Sequence, residues 1–154
     1  MKHIFIINPT AGKSDSRQRI YDMADSLRTR HDLDVQCILT KRQGHATELA
    51  RKLCQSGEEL RFYACGGDGT LNEVASGAAG FPNLAITAYS GGSGNDFVRL
   101  FSEPAAFSDL ERLLDAKEVT FDMIRCNDDY ALNICSVGLD ARIGTDVARY
   151  KRLP

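Results

Sequence analysis

Cys65-Gly66-Gly67-Asp68-Gly69-Thr70-Leu71-Asn72-Glu73-Val74 decides the reading of the fold, because backbone chemistry and reaction chemistry meet in it. The apolar run Phe62-Tyr63-Ala64-Cys65 leads in as a buried strand. It delivers the chain into Gly66, Gly67 and Gly69, where the backbone can turn sharply or approach a ligand closely. A helix is expected at once: Thr70 with Glu73 three residues on has capping-box spacing, and Leu71, Val74, Ala75 and Ala78 follow at helical intervals. Strand, glycine turn and helix start gather free N–H groups and the positive end of a helix dipole in one pocket, which suits phosphate. Asp68 stands in that pocket. Its carboxylate would repel a phosphate unless a cation or a transferable proton lay between them, which points to Mg²⁺ and phosphoryl chemistry. The plain alternative is a tight strand-to-helix turn that Asp68 caps.

Working outward, the pattern before and after this stretch alternates strand and helix. His3-Ile4-Phe5-Ile6-Ile7 is a continuous apolar run, suited to a strand covered on both faces, and it ends at Asn8-Pro9. Thr10-Ala11-Gly12-Lys13-Ser14 looks like a Walker phosphate loop. That motif needs a glycine five residues before Gly12, where Ile7 stands, so the assignment is rejected. Gly12 and Lys13 still mark a strand end followed by a helix start. They either touch phosphate or form a plain turn with a solvated lysine.

Ile20, Met23, Ala24 and Leu27 define a helix face, and Val35 to Leu39 a second strand. Beyond Thr40, a polar turn through Gly44-His45 enters a helix with Ala46, Leu49, Ala50 and Leu53 on its buried side. His45 has no second ligand at metal spacing and reads as a turn residue or the edge of a ligand site. Gly77, Gly80 and Pro82 are expected to close the central helix, and Leu84-Ala85-Ile86 to form a fourth strand. Such alternation implies a parallel sheet with helices on both faces and ligands at the carboxyl ends of its strands.

A second glycine-rich loop, Tyr89-Ser90-Gly91-Gly92-Ser93-Gly94-Asn95-Asp96-Phe97, opens a short helix and brings a second carboxylate, Asp96, to the same edge. A further helix is expected through Phe107, Leu110, Leu113 and Leu114. The pattern then changes: Val119 to Cys126 and Tyr130 to Cys135, split by Asn127-Asp128-Asp129, read as an antiparallel hairpin. The basic end, Arg149 to Pro154, leaves too little chain for an independent core, so the sequence reads as a piece of a longer one.

With 154 residues, 43% hydrophobic, 26% charged and a net charge of −2, the chain suits one globular domain and carries no nucleic-acid-binding bias. No apolar run reaches membrane-spanning length and the N-terminus is no signal peptide, so a cytoplasmic location is expected. Five cysteines, odd in number and without CxxC spacing, are expected as buried reduced thiols.

Five ordered motifs together resemble the catalytic domain of the diacylglycerol kinase and sphingosine kinase family, especially its bacterial soluble lipid kinase branch. They are Asn8-Pro9-x-x-Gly12-Lys13; Thr40 through Gly44-His45-Ala46; Gly66 to Val74; Gly92-Ser93-Gly94-Asn95-Asp96-Phe97; and Asn133-x-x-Ser136-x-Gly138-x-Asp140-Ala141. The resemblance implies a three-layer α/β/α nucleotide-binding domain over residues 1–120, followed at 121–154 by the start of a truncated β-rich second domain. It implies an ATP-dependent lipid kinase, using Mg²⁺ and a diacylglycerol-like acceptor at the membrane surface. The exposed apolar faces of the Val119 to Cys135 hairpin are expected to favour self-association, with a homodimer as one arrangement. On this resemblance Asp68 is catalytic and Asp68 and Asp96 organise the metal. ATP is held by Asn8, Pro9, Gly12, Lys13, Thr40, Gly44, His45, Gly66, Gly67, Gly69, Thr70, Asn72, Glu73, Gly92, Ser93, Gly94 and Asn95. NAD kinases share the Gly-Gly-Asp-Gly-Thr signature, but Asn72-Glu73 and Gly94 to Phe97 favour the lipid branch. A non-catalytic nucleotide-binding module is the rival from another class. Because the resembled family's second domain supplies its lipid pocket, this chain is expected to bind ATP and to phosphorylate lipid poorly.

Overall fold

The computed structural model describes residues 1–11, 17–90, 95–136, 138–139 and 141–143. Its elements are β1 (Lys2–Ile7), α1 (Arg17–His31), β2 (Val35–Leu39), α2 (His45–Cys54), β3 (Leu60–Gly66), α3 (Asp68–Ala78), β4 (Leu84–Ser90), α4 (Leu110–Leu114), β5 (Ile124–Cys126) and β6 (Asp129–Ala131), with 3-10 turns at Val98–Leu100 and Pro104–Ser108. Strands β1 to β4 form one parallel sheet in the order β2-β1-β3-β4, as the strand and helix alternation requires.

The register explains why the strands are apolar without alternation. Ile4 pairs with Phe62 and Ile6 with Ala64, and all four point to the face that α2 and α3 cover through Ala46, Ala50, Leu71, Val74 and Ala78. Their neighbours Phe5, Ile7, Tyr63 and Cys65 point to the other face, against Ile20, Ala24 and Leu27 of α1 and Leu110 and Leu113 of α4. Both pleats are therefore dry. From β1 the chain moves outward to β2, then crosses back over β1 to reach β3. That reversal creates a crevice between the carboxyl ends of β1 and β3, where open α/β sheets bind their ligands.

Several local expectations are corrected. Helix α3 begins at Asp68, with Gly67 as its N-cap and no side-chain cap bond, so Thr70 lies inside the first turn and the Thr70-Glu73 pair is no capping box. Gly77 does not close the helix. A Cβ there would lie 2.3 Å from the Thr47 carbonyl oxygen and 2.9 Å from Ala50 Cβ, so its missing side chain lets α2 and α3 approach. Strand β4 runs on to Ser90, four residues beyond Ile86, because it continues to pair with β3 up to Gly66. The helix expected over 107–114 is split at Asp109. Its backbone is extended, and its carboxylate accepts hydrogen bonds from the Glu111 and Arg112 N–H groups, starting α4 afresh. The hairpin strands are only three residues long, turning at Asn127, whose φ is 55°. All five cysteines are free; Cys54 and Cys65 are buried, Cys37 is half-buried, but Cys126 and Cys135 are exposed, because among the described residues no second layer covers the hairpin region.

Candidate active site

Three loops converge at the carboxyl edge. The Asn8 N–H donates to the Cys65 carbonyl at 2.9 Å, and the Thr40 N–H donates to the Ile7 carbonyl at 2.8 Å, so the loops after β1, β2 and β3 leave the sheet side by side. The Asn8 side chain then joins two of them. Its Oδ1 accepts from the Thr10 N–H at 3.0 Å and from the Thr10 hydroxyl at 2.9 Å, a local turn that fixes the chain after Pro9. Its Nδ2 donates to Thr70 Oγ1 at 3.3 Å, across to the first turn of α3.

The glycines of the central turn have separate reasons. A Cβ on Gly66 would stand 2.3 Å from Thr70 Oγ1, so this glycine makes room for the buried threonine. Gly67 is the extended N-cap. Gly69 is different: it lies inside the helix, is exposed, and a Cβ there would meet nothing within 4 Å. A helical glycine costs ~0.5–1 kcal/mol relative to alanine, and among the described residues no contact repays it. Around it the N–H groups of Asp68, Gly69 and Thr70 lack intrahelical partners at the positive end of the helix. An open, bare backbone at a helix start is the shape in which phosphate binds.

Asp68, half-buried, is the first residue of α3. Its two carboxylate oxygens accept from the Phe97 and Asp96 N–H groups, each at 3.1 Å, so it also fixes the chain at Asp96 and Phe97. Asp96 meets Asp68 through its main chain; its own exposed carboxylate pairs with Arg99 at 3.0 Å. That i, i+3 pairing is a spacing readable in sequence, whereas the contribution of the Phe97 N–H has no sequence signal. Each Asp68 oxygen keeps a second lone-pair direction. The described residues contain no group of three or more His, Cys, Asp or Glu able to enclose a metal. One or two carboxylates beside a phosphate site nevertheless match Mg²⁺, which is held by few protein oxygens together with substrate phosphates.

The remaining predicted residues fall into three groups. Thr40, Gly44 and His45 lie on the β2–α2 turn; Gly44 is the N-cap of α2 with φ 79°, and His45 Nδ1 accepts from the Lys41 N–H at 3.0 Å. Asn72 and Glu73 have their side chains committed to protein: Asn72 to the hairpin backbone and Glu73 to the start of α2. Gly12, Lys13, Gly92, Ser93 and Gly94 lie outside the described residues, while Asn95 is in the left-handed region at φ 54°.

Fold and site together define a class, an α/β parallel-sheet domain with a candidate anion site at its switch point. The sequence profile of the diacylglycerol kinase catalytic domain matches residues 2–126, and the chain belongs to that family, a family of kinases acting on lipid. A diacylglycerol kinase of Staphylococcus saprophyticus is 32% identical over 136 residues, covering 86% of this chain and 44% of its own length. One from Staphylococcus haemolyticus is 31% identical over 137 residues, covering 86% and 40%. A crystal structure of a diacylglycerol kinase from Bacillus anthracis superposes with a TM-score of 0.65 at 26% identity, over 84% of this chain and 47% of that one. The chain spans about half the length of the curated relatives it matches, 50% for one from Staphylococcus carnosus. Among the described residues no helix is long and apolar enough to cross a membrane.

Proposed function

We propose that this chain supplies the ATP-binding part of a lipid kinase that transfers the γ-phosphoryl group to a lipid hydroxyl, with a diacylglycerol-like acceptor presented at the membrane surface. The observation that carries the reading is Gly69, an unrepaid open glycine in the first turn of α3, beside the Asp68 carboxylate at the sheet's switch point. The phosphates would lie against the N–H groups of Asp68, Gly69 and Thr70, with the β2–α2 turn toward the nucleoside. Magnesium, when bound with ATP, supplies neutralisation of the phosphate charge. Asp68 would hold it or the proton of the acceptor hydroxyl, and Asp96 would assist. The chain's own part is orientation and electrostatics, because phosphoryl transfer asks for positioning more than covalent chemistry.

The test titrates the protein with Mg-ATP in a calorimeter and follows ATP consumption with diacylglycerol, with NAD and with no acceptor. Saturable Mg-ATP binding, weakened by Asp68→Asn together with lipid-dependent turnover in a form of the protein that carries the acceptor site, supports the reading. Turnover with NAD alone would favour the related nucleotide kinase. Binding without turnover on any acceptor in such a form would leave a nucleotide-binding module.

A further inference from the structure

Helix α3 carries three stripes with three different jobs. Leu71, Val74 and Ala78 face the sheet core, with Ala75 buried beside them. Glu73 and Gly77, four residues apart, face α2: Gly77 permits the close approach, and one turn earlier the Glu73 carboxylate accepts from the Gly44 N–H at 2.9 Å and the Ala46 N–H at 3.2 Å. The N-cap residue of α2 is a glycine with no side-chain cap, so the helix is capped from its neighbour, by an anion at its positive end. The Thr47 hydroxyl closes the contact by donating to the Glu73 carbonyl at 3.0 Å. Asn72 and Ser76, again four apart, face the hairpin. Asn72 Nδ2 donates to the Tyr130 carbonyl at 3.1 Å and Oδ1 accepts from the Leu132 N–H at 2.8 Å, so one amide side chain imitates a neighbouring strand. Ser76 adds a second donor to the Tyr130 carbonyl at 3.1 Å.

We propose that Asn72 and Glu73 are positioning residues that hold the β5–β6 hairpin and the β2–α2 turn in register with Asp68, neither of them touching the nucleotide. They sit four and five residues on from Asp68, roughly 6 and 7.5 Å along a rigid helix, so a shift of either attached segment is felt at the carboxylate. A primary amide, with its donor and acceptor on separate atoms, suits residues 130 and 132 at once, and a carboxylate, with two acceptor oxygens, suits two N–H groups. The part of the proposal that concerns ATP rests on the functional reading above; the hydrogen bonds do not.

The experiment measures amide hydrogen exchange at Gly44, Ala46 and Leu132 in the wild type, Asn72→Ala and Glu73→Ala, with Asn72→Asp and Glu73→Gln as variants of near-native size should an alanine form not fold. Without nucleotide, Glu73→Ala should speed exchange at Gly44 and Ala46 by about tenfold and spare Leu132, and Asn72→Ala should do the reverse. Unchanged exchange at those amides overturns the proposal, and this arm is decisive even if the wild type binds no ATP, an outcome that would instead sink the functional reading. With Mg-ATP present, the wild type should show slowed exchange at Leu132, a response lost in Asn72→Ala although its ATP affinity stays within about twofold, because the helix links the two places. Glu73→Ala should weaken Mg-ATP by about fivefold through the displaced turn, with partial rescue by Glu73→Gln. A tenfold or larger loss of ATP affinity in Asn72→Ala, with Leu132 exchange unaltered, would make Asn72 a direct ligand and overturn the proposal.

Discussion

The parallel sheet and the segment after α4 are held by opposite means. In the sheet, Phe5 and Phe62 are 0% exposed, and helices close both faces. Beyond Asp115, Val119 is 61% and Ile134 72% exposed, and an open cavity of about 970 Å³, lined by Leu71, Phe97, Phe101 and Phe121 among others, separates this segment from α3 and β4. What ties it on is sparse: Arg61 to Glu118 at 2.6 Å, Asn72 and Ser76 to β6, Leu132 against the core, and Phe121 against the Phe97 and Phe101 rings. Stability therefore resides in the sheet, while the far segment is positioned rather than packed. Among the described residues the candidate site lies on the packed side, and two links reach the other side: α3, and Phe97, whose N–H donates to Asp68 while its ring meets Phe121.

The largest test of that contrast is a pair of truncations. Phe62→Ala should cost about 3–5 kcal/mol in denaturant unfolding, whereas Ile134→Ala should change stability by less than about 0.5 kcal/mol. Equal losses would show that the two regions share one core.

Next in size, Asp68→Asn should slow phosphoryl transfer by about 10²–10³-fold in any form of the protein that turns over, and should cost about 1–3 kcal/mol of stability because one of its two acceptor oxygens becomes an NH2 group facing an N–H donor. Turnover within a factor of a few of the wild type would reduce Asp68 to the residue that orders the Asp96-Phe97 loop.

Two glycines three residues apart should then diverge. Gly66→Ala meets Thr70 Oγ1 at 2.3 Å and should destabilise by about 1–3 kcal/mol. Gly69→Ala meets nothing, and should raise stability by about 0.5–1 kcal/mol while weakening Mg-ATP in calorimetry. A Gly69→Ala protein that binds Mg-ATP as well as the wild type would remove the strongest reason for placing phosphate there.

The smallest effect concerns pH at the opposite edge of the sheet. Burial, then the Arg61 charge and the N-terminal amine, hold His3 below its usual 6.5, and burial pushes its 3.0 Å partner Tyr63 up to about 12. Folded His3 stays neutral where the unfolded chain takes up a proton, so its contribution is complete above about pH 6.5 and is lost as the pH falls through 6.5 toward the folded value. In thermal melts between pH 7 and 5, His3→Gln should flatten the decline in stability; an unchanged slope would place the titrating group elsewhere.

The sequence by itself was enough for whatever depends on neighbours along the chain. The apolar runs at β1, β2 and β3, the helical spacing of Ile20, Ala24 and Leu27, and the glycine turn between β3 and α3 made the parallel α/β order legible, because strand and helix periods differ and buried parallel strands need no alternation. Asp68 and its glycines were legible for the same reason. Partnerships across the fold were not. Glu73, read as half of a capping box with Thr70, caps a different helix 27 to 29 residues away, and Asn72 bonds a strand about 60 residues on. Local spacing shows which acceptor a side chain carries, but only the packing of α2 on α3, made possible by the missing side chain of Gly77, decides which N–H groups that acceptor can reach.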